Sequence, residues 1–218
     1  MEPNVLENSQ EPQMNIVDAQ RGVRFRWSGG FYGQAVSGVI WLISASFASW
    51  SSPRTAIAVL VIGGFFIFPI TELLVRTVGS RLKLDSRNLL PQLGMQVAFV
   101  LPFSMPLLLP VSRYDLNWFY PALMILLGAH YLPFVFLYGM RMFAVLAAAL
   151  LGGGIIIAMH LSSSFSIGAW YTGTILLIFA AAGNVLVHNE RQRQTGQPPP
   201  AADGELHPPS HVAKKPPY

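Results

Sequence analysis

Two residues of this chain carry chemistry that their surroundings do not welcome. Glu72 and His130 both lie inside long apolar stretches, and Glu72 is the single acid within any of them. A carboxylate in hydrocarbon is expensive enough that it turns toward a partner, a bundle interior or water. Arg76 follows four residues later, the favourable acid-before-cation order on a helix face, so an ion pair and a titrating, ligand-binding carboxylate are both open readings. His130 falls near the middle of its stretch, directly after Ala129, whose carbonyl loses its helical donor to Pro133. A neutral imidazole there can donate through one nitrogen and keep the other for a proton or ligand; a buried, satisfied histidine is the alternative.

Four amides join them: Gln34, Gln92, Gln96 and Asn184. At about 1.5 Å per helical residue they lie with Glu72 within roughly two turns of one membrane surface. Gln92 and Gln96 share a helix face. Hydrogen bonds that lock the bundle, worth about 0.6–2 kcal/mol each, are one expectation. A polar pocket facing the cytoplasm is the other.

These residues need elements to hold them, and hydropathy supplies six. Of the 218 residues 52% are hydrophobic and 11% charged, far from the roughly 25% charged composition of soluble domains. The expected spans run from about Phe31 to Trp50, Thr55 to Val78, Leu89 to Leu109, Trp118 to Tyr138, Met142 to Leu161 and Ile167 to Val187. Lys and Arg sort into alternate gaps: of the fourteen, only Arg54 and Arg113 fall on the other side. Because cytoplasmic connections carry the excess of cations, both termini are expected in the cytoplasm, with anionic headgroups as partners of the basic residues. The fold class is therefore all-α, a six-span polytopic bundle. The expected division is a polar N-terminal segment over residues 1–30, the membrane domain over 31–188 and a Pro-rich tail over 189–218. The first twenty residues read as disordered or loosely helical, and the tail, barred from a helix by its prolines, as polyproline-like and mobile.

Pro69 in span two, Pro102 and Pro106 in span three and Pro133 in span four are expected to interrupt their helices well inside the bilayer. The freed carbonyls of Phe65, Ala98 and Ala129 must then be satisfied by neighbours or water. Small residues mark close helix contacts or a homo-oligomer: Gly33 with Ser37, the series Ala144, Ala148 and Gly152, and Ala180 with Gly183.

Several classes fall away. The chain has no cysteine, which excludes disulfides, thiolate catalysis and thiolate metal sites. Signatures of metalloproteases, serine hydrolases, phosphate loops and dinucleotide folds are missing, so no enzyme, cofactor or metal is expected. The net charge of +4 belongs to span ends, which argues against nucleic acid. The first apolar run begins only at Phe31, too late and too long for a cleaved signal. A bacterial plasma membrane is the expected location.

Leu90-Pro91-Gln92-Leu93-Gly94 and Gly128-Ala129-His130-Tyr131-Leu132-Pro133-Phe134, followed by Leu137-Tyr138, resemble the bacterial membrane proteins grouped as domain-of-unknown-function family 7010. The resemblance covers roughly spans one to five, and its most specific part is an Ala-His-x-x-Pro-Phe element. The chain departs from it before span three, reading Asn88-Leu89-Leu90-Pro91 where Asn-Pro-Leu is expected. What the resemblance implies is architecture, with His130, Pro133 and Tyr138 as one unit; it implies no substrate. The expected function is a small-solute or proton-linked carrier built around Glu72 and His130, and the alternative is a membrane scaffold without transport.

Overall fold

The computed structural model describes residues 14–78, 83–161 and 164–195. The helices are α1 (Ile16–Arg26), α2 (Phe31–Trp50), α3 (Pro53–Thr77), α4 (Leu90–Ser104), α5 (Leu108–Tyr114), α6 (Phe119–Tyr138), α7 (Met142–His160) and α8 (Ile167–Thr195). Among the described residues six spans are long and apolar enough to cross a membrane, α4 and α5 together making the third. The protein is an all-α, polytopic membrane bundle.

Two expectations about the ends are corrected. Residues from Ile16 onward form a packed helix, because Asn15 caps it by accepting from the Val17 N–H at 3.0 Å and because Ala19, Val23 and Phe25 bury an apolar stripe. Helix α8 likewise runs to Thr195, beyond the expected tail boundary at Asn189, since no glycine or proline intervenes before Gly196. Residues 1–13 and 196–218 lie outside the described residues.

The prolines act less uniformly than expected. Helices α3 and α6 continue through Pro69 and Pro133, and α4 through Pro102. Only the third span changes geometry, tightening to a 3₁₀ turn over Met105–Leu107 around Pro106. Neighbouring turns keep enough bonds to carry α3, α4 and α6 past one missing N–H. Ends are ordinary: Ser52 caps α3, accepting from the Thr55 N–H at 3.1 Å, and Gly139 closes α6 at φ 63°. In the connection before α4, the Arg87 side chain and backbone both donate to Asp85, holding that carboxyl below the ordinary carboxylate value.

Helices α2, α6, α7 and α8 make the core. Helix α6 packs along α7, α2 lies between α3 and α8, and α4 leans on α6. Gly38 and Gly173 let α2 and α8 approach closely, since a Cβ on Gly38 would meet Leu177 at 2.9 Å. Tyr120, Phe31, Phe143, Leu146, Leu150 and Leu176 are the heart of the packing. By contrast few residues of α3 and of the third span are buried, whereas the span containing α6 buries many. Helices α3 and α4 therefore form a rim.

Helix α1 lies across one end of the bundle, touching α4, α6 and α8. It joins α2 through Ser28, Gly29 and Gly30, which have φ of 49°, 64° and 77°. Three successive residues of positive φ turn the chain from α1 into α2, and Ser28 holds that region at a cost of about 1–2 kcal/mol. Because α1 meets α8 there, both ends of the described chain share one side.

Candidate functional site

The residues singled out by chemistry do not share one pocket. Gln34 is 3% exposed on α2 and donates through Nε2 to the Leu176 carbonyl of α8 at 3.1 Å, while its Oε1 is buried without a partner. Glu72 accepts from Arg76 Nε at 2.9 Å on α3, with the two side chains 30% and 72% exposed. Gln92 and Gln96 are exposed on α4 beside Met95. Asn184 is exposed on α8 with Val185 and Leu186, away from Gly183 and Val187, which face inward. Equal depth is thus met by different helix faces.

His130 and Tyr138 do belong to one structure. The His130 ring lies edge-on to Tyr131 and Phe134, with centroids 5.8 and 5.1 Å apart. Its Nδ1 is buried without a partner, and the Val97 carbonyl of α4 lies against the ring. Phe134 also meets Tyr138 edge-on at 5.8 Å, and Tyr138 stacks on Phe143 of α7 at 5.6 Å. Phe31 of α2 closes the stack on Phe143 at 5.5 Å. Such ring pairs each contribute about 0.5–1.5 kcal/mol beyond their burial. The Tyr138 hydroxyl approaches Gly30 so closely that a Cβ there would sit 2.9 Å from it. Pro133 sits between His130 and Phe134 in sequence, so the element read from the resemblance is one packed aromatic unit.

The chain belongs to the family of unknown function DUF7010. The match covers residues 16–185. It takes in α1 and the aromatic unit, while Glu190 and Arg191 lie beyond it. No curated protein and no solved structure matches the chain. Within this DUF7010 chain the residues that sequence reasoning passed over gather beneath α1. Gln20 Nε2 donates to the Phe136 carbonyl at 2.6 Å, and Arg24 Nη1 to the Tyr138 carbonyl at 2.5 Å. Those carbonyls end α6, where few helical donors remain and the dipole favours cations; the Phe136 carbonyl also accepts from the Gly139 N–H at 3.3 Å. Arg24 Nη2 also donates to Glu190 of α8 at 2.6 Å, with the Arg24 side chain only 12% exposed. Arg191 donates to the Phe25 carbonyl and lies over the Phe25 ring. Asn88 bridges Ala19 to the start of α4, donating to the Ala19 carbonyl at 2.9 Å and accepting from the Leu90 N–H.

The signal for this arrangement was a helix start at Asn15 with Asp18 in the first turn, followed by Ala19 and Val23 four apart. Arg24 read alone is only one more basic residue near a span. A second polar set, also unforeseen, sits toward the opposite end: Ser44 of α2 donates to the Ala56 carbonyl at 2.9 Å and lies 2.6 Å from the buried Tyr120 hydroxyl. Finally, a cleft of about 420 Å³ opens between α7 and α8, lined by Ala148, Gly152, Gly153, Ile156 and Tyr171.

Proposed function

We propose that this protein is a partner-binding component of the bilayer, its partner covering the rim made by α3 and α4. The observation that carries the reading is that the proline sites of α3 and α4 lie on exposed faces. Phe65 and Pro69 are both exposed on α3, and Ala98 and Pro102 on α4. Each proline removes the N–H that would pair with the carbonyl four residues earlier. A bundle alone in lipid leaves such acceptors facing acyl chains, whereas a second protein surface supplies donors. Glu72, Arg76, Gln92 and Gln96 extend this polar line toward the α1 end. On α7, Ala144 and Ala148 are exposed and a Cβ on Gly152 would meet nothing within 4 Å, which favours close approach of another helix and fits a homo-oligomer. The reading includes a cytoplasmic α1 face against anionic lipid in a bacterial plasma membrane, supported by the sorting of cations.

The carrier reading receives less support, because Gln34 is tied to α8, Glu72 to Arg76, and the remaining amides point away from the core. One experiment separates the two. Cysteine at Phe65 or Ala98 is the only thiol in the chain, and membrane-permeant crosslinking in native membranes is expected to give one discrete adduct from these rim positions and none from Ala147. Monomer at every concentration, together with solute or proton flux that disappears in Glu72→Gln and His130→Ala, would overturn scaffold in favour of carrier.

A further inference from the structure

We infer that α1 is a lid: an intramolecular plug, hinged at Ser28, Gly29 and Gly30, that swings as a unit to uncover an acceptor-rich mouth at the inner end of α6 and α8. Its evidence does not draw on the exposed prolines of the rim, although α1 is also tied to the start of α4 through the bond from Asn88 to the Ala19 carbonyl. The mouth consists of the Phe136 and Tyr138 carbonyls and the Glu190 carboxylate, and α1 fills it with donors of its own, Gln20 Nε2 and both terminal nitrogens of Arg24. These bonds, together with those from Asn88 to the Ala19 carbonyl and from Arg191 to the Phe25 carbonyl, all join α1 to other elements, so lifting the helix breaks them and leaves each element internally intact.

The closed position is held against opposing features. Ser28 keeps a left-handed backbone that a longer, relaxed connection would not require. The Nε atoms of Arg21 and Arg24 are buried without partners in the closed form and gain water when the lid opens. Against these stand the apolar underside, Ala19, Val23 and Phe25, and the ion pair of Arg24 with Glu190. Helix α1 is followed, after Trp27 and Ser28, by the adjacent glycines Gly29 and Gly30, whose positive φ makes them the natural pivot. Opening exposes carbonyl and carboxylate acceptors next to the Tyr138 hydroxyl and the aromatic stack, which are otherwise shut off from that side. The lid thereby controls access to the unit that His130, Phe134 and Tyr138 form.

The full chain has no cysteine, so one introduced thiol reports cleanly. Val23, 1% exposed on the underside of α1, becomes the reporter as Val23→Cys, and Ala147, fully buried in α7, the control as Ala147→Cys. A water-soluble thiol reagent is expected to label Val23→Cys at least tenfold faster once Arg24→Gln is added, with Ala147→Cys unchanged, whereas Arg24→Lys, which keeps a cationic donor beside the Tyr138 carbonyl and Glu190, is expected to keep labelling slow. Joint acceleration of both positions, or no acceleration at Val23, overturns the lid. Should Arg24→Gln fail to fold, hydrogen exchange on the unmodified protein decides: α1 amides exchanging at least tenfold faster than those of α6 and α7 support the lid, and equal rates refute it.

Discussion

A methyl group separates two kinds of glycine in this bundle. At Gly183 a Cβ would clash with the Phe31 ring, which is itself stacked on Phe143. At Gly64 the same atom would meet nothing within 4 Å. Gly183→Ala is therefore expected to lower stability by about 1–3 kcal/mol through overpacking. Gly64→Ala is expected to be neutral or to gain up to about 1 kcal/mol from reduced backbone freedom. Thermal unfolding of the two variants in detergent measures the contrast, and equal losses would show that the Phe31 stack yields. Of the chemically unusual residues, the Glu72 to Arg76 pair could be read from spacing because both partners sit on one helix. The placements of Gln34 and Asn184 could not, because depth fixes a height along the bundle and leaves direction open.

Among the elements, α3 is the one whose role depends most on what lies outside it. It touches α2 on one side and presents Phe65, Phe66 and Phe68 on the other. Pro69→Ala returns an N–H to the Phe65 carbonyl and is expected to raise the stability of the isolated protein by about 1–3 kcal/mol. If a partner supplies the donor instead, the same substitution weakens rim crosslinking in membranes. Gain in detergent with loss of the adduct is the expected pair of results, and an adduct of unchanged yield would separate the proline from partner binding. Helix α1 makes the complementary point. Its formation follows from Asn15, Asp18 and the Ala19 to Val23 spacing, but its docking is tertiary, resting on the bonds that Gln20 and Arg24 donate to the carbonyls at the end of α6.

For the whole molecule, six spans place the start of α1 and the end of α8 on one side, where Arg24 and Glu190 meet. Reporter fusions after residue 195 and before residue 16 are expected to give cytoplasmic signals together. Signals on opposite sides would contradict the ion pair as well as the count of spans. The outermost helices of this arrangement bury little and the innermost bury most, so a span's contribution to stability is set by its neighbours, while its insertion is set by its composition.

Sequence alone determined the number, order and approximate length of the spans and the shared side of the two ends, since each depends on hydropathy and charge, and it offered the pairing of Glu72 with Arg76 as one of two readings. Tertiary structure alone decided which faces turn inward, why Gln92, Gln96 and Asn184 do not join Gln34, and how α1 closes the end of the bundle. The physical reason is the solvent. In lipid both faces of a helix can be apolar, so the periodicity that marks a core face in water is erased along α6 and α7. Direction is then fixed by close glycine contacts, stacked rings and a few hydrogen bonds between residues far apart in the chain.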